Sequence, residues 1–106
     1  MRLATTIRAW HGGQHEDPRW FTSDREWAQT FGSDVRLYEI TAHDVLELHE
    51  GDIDELTAGL HGYDADEALY ELMESKGADL VILHGWERGI CYLINPRWAK
   101  IKEVES

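Results

Sequence analysis

The chain predicts a single α+β domain spanning residues 1–106, and three observations carry that reading. Alternating or continuous apolar runs of strand type occupy both ends of the chain, the middle carries apolar residues at helical spacing, and 106 residues suffice for one core. There is no internal repeat, low-complexity tract or linker.

The elements follow in order. Leu3, Thr5, Ile7 and Ala9 alternate with Arg2, Ala4, Thr6, Arg8 and Trp10, which predicts a first strand ending near His11. A polar loop from Gly12 to Arg19 contains Pro18 and feeds the short run Trp20-Phe21-Thr22. Ser23 or Asp24 can cap a helix, with Glu26 three residues after Ser23 as a capping box requires, and Trp27 and Phe31 space an apolar face before Gly32. Val35 to Ala42 alternates as a third strand, and Val45, Leu46 and Leu48 make a short fourth. Asp52 to Leu60 reads as one helical stretch. Asp64 to Lys76 reads as a better one, with Ala65, Ala68, Leu69, Leu72 and Met73 on one face and Gly77 as its stop. Leu80–Leu83 and Ile90–Ile94 are continuous enough to be central strands, and Ala99 to Val104 alternates like an edge strand.

Composition narrows the function classes. Five Trp, four Tyr and two Phe supply a core without staples. The lone Cys91 cannot form an internal disulfide and reads as a small buried hydrophobe in a reducing compartment. The N-terminus lacks the apolar run of a signal peptide and no segment approaches a membrane span, so a soluble, cytoplasmic protein with no membrane partner is expected. A net charge of −11 repels phosphate backbones, which disfavours direct binding to nucleic acid. The acid is clustered: residues 44–74 hold eleven Asp and Glu and no Lys or Arg. Such a run is either a solvated, solubilising surface or a docking face for a basic protein partner.

The sharpest local pattern is His11-Gly12-Gly13 closing the first strand, followed by Trp20-Phe21-Thr22-Ser23. Residues without Cβ at a strand end let another backbone or a ligand come close, which points to a cleft that handles nucleotides. A metal reading of His11, His15, His43, His49, His61 and His84 fails. The His11 region reads as strand and loop, where i,i+4 spacing does not gather imidazoles, and no Cys pair or His-Glu-x-x-His is present. Phosphate loops of the Rossmann or P-loop type are also absent.

Taken in order, His11-Gly12, Trp20-Phe21-Thr22-Ser23 with Ala28, Gly77-Ala78-Asp79-Leu80-Val81-Ile82, and Ile94-Asn95-Pro96 with Lys100-Ile101 resemble the ADP-ribosyltransferase fold family, in its small toxin or phage-effector form. The resemblance implies two small antiparallel or mixed sheets around an NAD cleft, with two or three helices. It implies transfer of ADP-ribose from NAD to a protein, nucleic acid or small-molecule acceptor, or NAD hydrolysis. By position, His11 would hydrogen-bond a ribose hydroxyl or the nicotinamide amide, Gly12 would border the cleft, Trp20 would stack on the nicotinamide, and Phe21, Thr22 and Ser23 would form the wall. Glu87 would be the catalytic acid stabilising a cationic transition state, with His84 as fallback. Family members often carry the acid nearer the Asn-Pro end, where this chain has Ile90 and Cys91. Read without the resemblance, His11 is a satisfied strand-end histidine, Trp20 a core residue and Glu87 a charge in a Gly-flanked turn. The alternative function is then a non-catalytic acidic interaction or inhibitor protein.

Overall fold

The computed structural model describes residues 4–16, 18–60, 62–85 and 89–105. Among the described residues, seven strands and three helices follow one another as β1 (Thr5–Gly12), β2 (Trp20–Thr22), α1 (Arg25–Gln29), β3 (Val35–Ala42), β4 (Val45–Leu48), α2 (Glu50–Leu56), α3 (Tyr63–Lys76), β5 (Leu80–His84), β6 (Ile90–Ile94) and β7 (Lys100–Glu105). All seven strands belong to one sheet in the order β4-β5-β6-β2-β1-β3-β7. The β4–β5 pair is parallel and the other pairs are antiparallel.

This corrects the expected pair of sheets around an NAD cleft. The short strand β2 pairs with β6 through Trp20↔Leu93 and with β1 through Trp10↔Thr22, so one hydrogen-bonded ladder runs from edge to edge. The two joints of β2 are unequal. Three residues register against β6, whereas Trp10↔Thr22 is the one registered pair with β1, beyond which β1 runs on alongside β3 from Thr5↔Ala42 to Gly12↔Val35. The sheet is therefore thinnest at its β2–β1 seam.

Both faces of the middle strands are covered, which is why β5 and β6 read as continuous apolar runs. On one face Val81, Leu83 and Leu93 pack with Ile53 of α2 and Leu69, Tyr70 and Met73 of α3. On the other, Leu80 and Ile94 pack with Ala9, Phe21, Tyr38 and Ile40, and this cluster also gathers Val45 from one edge strand and Ile101 from the other. Val45 joins it beside Leu80, its register partner, and Ile101 beside Ile40, so the cluster runs across the sheet from strand to strand.

Local chemistry sets the helix ends. Asp24, rather than Ser23, caps α1: its carboxylate accepts from the backbone N–H of Glu26 at 2.9 Å and of Trp27 at 3.2 Å. Helix α2 begins at Glu50 behind His49 and stops at Leu56, shorter and earlier than the apolar spacing predicts. Helix α3 ends at Gly77, whose φ of 68° is the left-handed turn a glycine stop provides. Asp79, 4 % exposed, ties the β3–β4 turn to β5, because its carboxylate accepts from the backbone N–H groups of His43 at 2.9 Å and Asp44 at 2.8 Å. Its backbone N–H donates to the Asp44 carbonyl, and its own carbonyl accepts from the Asn95 N–H. The Cys91 side chain is buried, as its apolar setting predicts. No described helix is long and apolar enough to cross a membrane.

Candidate functional site

A cleft of about 450 Å³ opens at the β2–β1 seam. Its floor is built by the end of β1 and by β2, its sides by α1 and the first turn of α3. The structure brings five sequence-predicted residues to it: His11, Gly12, Trp20, Phe21 and Thr22. The polar groups of this set are engaged with the backbone. The two ring nitrogens of His11 lie 2.6 Å from the Trp20 carbonyl oxygen and 2.5 Å from that of Gln14. Thr22 Oγ1 accepts from the Asp24 N–H at 3.1 Å, which positions the α1 cap. Ser23 does not line the cleft, and its Oγ accepts from the Ile90 N–H at 3.2 Å, extending the β2–β6 joint.

Gly12 lets a backbone, not a ligand, come close. A Cβ placed on it would stand 2.0 Å from the carbonyl oxygen of Ala28, and one on Gly32 would stand 2.6 Å from the Cα of Gly13. The glycines of the His11-Gly12-Gly13 pattern thus seat α1 and its following turn on the end of β1.

Behind His11 lies an aromatic layer. Its ring centre is 5.4 Å from that of Phe21 and 5.1 Å from that of His15, which stacks on Tyr38 at 5.8 Å. His15 Nδ1 lies 2.8 Å from the Tyr38 hydroxyl and its Nε2 lies 2.7 Å from the Asp34 carbonyl oxygen. Burial pushes the Tyr38 phenol above the ordinary tyrosine value, opposed by the nearby Arg36 charge. Outside the layer, the hydrogen bond from Arg36 holds the Asp34 carboxyl below the usual carboxylate range.

Glu87, the expected catalytic acid, lies outside the described residues. His84 is not part of the cleft: its ring stacks on that of His49 at 4.8 Å, and its Nε2 lies 3.5 Å from Glu47 Oε1. Sequence reasoning missed Trp10, Trp27, Phe31, Ala65, Asp66 and Cys91 as cleft residues. One signal is present, the i,i+4 pair Trp27 and Phe31, whose spacing marks an apolar face. Phe31 is in fact 62 % exposed and meets Trp27 edge to face, with ring centres 5.4 Å apart and planes at 87°. Among the described residues, no group of three or more His, Cys, Asp or Glu is placed to hold a metal ion.

The acidic stretch is on the surface. Of its eleven acids, Glu47, Glu50, Asp52, Asp54, Glu55, Asp64, Glu71 and Glu74 are exposed, and Asp44, Asp66 and Glu67 are partly buried.

No protein-family model matches the chain, and no curated protein matches it in sequence. In fold it is similar to the crystal structure of an anti-CRISPR protein, with a TM-score of 0.61 over 93% of this chain and 96% of that one, at 13% sequence identity. At that identity the likeness is one of fold.

Proposed function

We propose that the chain is an acidic inhibitor protein that docks on a basic, nucleic-acid-handling surface of another protein. The observation that carries this reading is the single sign of the 44–74 surface, eleven acids with no Lys or Arg, in a chain of net charge −11. Such a field steers a basic partner into contact and repels nucleic acid itself. The fold shared with an anti-CRISPR protein supports a specific partner class. RNA-guided effectors hold their heteroduplex in a positively charged channel, which an acidic protein can occupy in place of phosphates. The test measures binding of a labelled target duplex by purified RNA-guided effector complexes, with and without the chain. Inhibition near one equivalent that weakens as salt is raised is expected. Duplex binding unchanged by a large excess of the chain at low salt, in every effector class tried, would overturn the reading.

A second reading is NAD-dependent ADP-ribosyl transfer, favoured by one observation: His11, Gly12, Trp20, Phe21 and Thr22 line a common cleft of ligand size. In that case the protein binds NAD by calorimetry and releases nicotinamide, and Glu87→Gln lowers turnover far more than NAD affinity. Absence of NAD binding at millimolar concentration removes it.

A further inference from the structure

We infer that the aromatic cleft at the β2–β1 seam receives an arginine side chain of the basic partner, an inference that rests on the docking reading above. Three features of the cleft select that chemistry.

The first is its aromatic wall. Trp27 and Phe31 meet at 87° to form a right-angled corner, and Phe31 holds 62 % of its surface in water. An exposed ring of this size, lining an apolar cleft together with Trp10, is surface that a partner's side chain would cover.

The second is the way the fold already treats its own guanidinium groups. Arg25 places its guanidinium carbon 5.2 Å from the ring centre of Trp10, and Arg19 places its own 4.2 Å over Tyr70. Both contacts are of the cation–π type, in which a flat, weakly hydrated cation rests on the electron-rich ring face. With Arg25 on Trp10, the incoming group is directed to the Trp27–Phe31 corner on the α1 side.

The third is charge. Asp66 lines the cleft, Asp64 lies in the same first turn of α3, and the chain as a whole carries a net charge of −11. A neutral aromatic side chain would use the apolar wall and gain nothing from this field. Lysine would answer the field, but its compact ammonium is strongly hydrated and stacks less well. Arginine satisfies both, with an apolar stem for the cleft and a planar cation for the rings and the acid, and it is among the residues most enriched at the energetic centres of interfaces.

The probes are blocked arginine, blocked lysine and blocked citrulline, the last keeping the planar head and the length but not the charge. Each is titrated into the intact protein while the indole N–H resonances are followed. Arginine is expected to shift the Trp10 and Trp27 signals most strongly and citrulline least. Phe31→Leu, at an exposed position, is expected to weaken arginine binding about two- to fivefold, the scale of an exposed cation–π contact. Trp98→Leu, outside the cleft and 49 % exposed, is expected to leave it unchanged. Citrulline binding as tightly as arginine, no shift with arginine, or shifts that survive Phe31→Leu undiminished would each overturn the inference. If effector inhibition persists in Phe31→Leu while arginine gives no shift, this inference fails and the docking reading stands. Arginine binding intact with every effector unhindered overturns the docking reading instead.

Discussion

On the β1-β3-β7 side of the sheet, Arg8 lies 3.5 Å from Glu39, Arg36 reaches Asp34 at 2.8 Å and Glu103 at 3.0 Å, and Lys102 stands in register with Glu39. Across the seam, residues 44–74 carry eleven acids and no Lys or Arg. Exposed cross-strand pairs add little to stability, and a run of like charge subtracts a little through self-repulsion. Neither pattern is explained by the needs of the fold. The paired side is a surface closed upon itself, whereas the acidic side is a field directed outward, and the cleft lies where the two meet.

The comparison breaks most severely at Gly12. Gly12→Ala drives a Cβ into the Ala28 carbonyl oxygen and should destabilise the fold by about 3 kcal/mol, the upper range for overpacking, while separating α1 from β1. Thermal unfolding checks the loss, and the arginine titration checks the cleft. Asp79→Ala, which leaves the His43 and Asp44 N–H groups without their carboxylate, should cost about 2 kcal/mol in a denaturant series. That loss belongs to the one buried acid of the described residues, in contrast to its exposed neighbours.

Asp64→Asn, Glu67→Gln and Glu71→Gln combined should leave the unfolding midpoint nearly unchanged, because they relieve like-charge repulsion at exposed or half-exposed positions. The same variant should slow association with a basic partner, most at low salt, as stopped-flow rates will register. An unchanged on-rate would reduce the acidic face to a solubilising surface.

The smallest effect is on the paired side. Asp34 is held below the usual carboxylate range by Arg36, so its stabilising contribution is present above the ordinary aspartate value and is lost as pH falls through the lowered one. Arg36→Met should return the Asp34 titration, followed by NMR, towards the ordinary range. Little change in stability at neutral pH is expected, since the pair is solvent-screened.

Much of this architecture was legible in the residues. The alternation in Val35–Ala42 and the continuous apolar runs of β5 and β6 reported strands because burial on one face or two imposes those periods. The number of sheets was not legible. It turns on a three-residue strand, Trp20–Thr22, pairing on both sides, and such pairing depends on neighbours far away in sequence. Helix α2 starts earlier than the apolar spacing predicts because His49 and Asp52 form its cap: the Asp52 carboxylate accepts from the His49 N–H at 3.3 Å. At the cleft, His11 and the β2 residues could be placed from their order alone. Their bonding could not, since the carbonyls that engage His11 belong to Trp20 and Gln14, brought there by the loop. Phe31 carried the most misleading pattern, because helical spacing from Trp27 does not reveal which ring the fold leaves in water.

The strand order has a consequence for how the protein is made. β2 waits for β6, and β3, paired early with β1, has its other flank covered only by β7. A chain emerging from the ribosome can form the β1–β3 ribbon at once, but Phe21, Tyr38 and Ile40 have no Leu80, Ile94 or Ile101 to rest on until the last strands follow. Folding of the sheet therefore waits for β5, β6 and β7, with these long-range pairings slowing the final step. A truncation that removes β7 should expose the flank of β3 and leave an aggregation-prone ribbon, not a smaller folded domain.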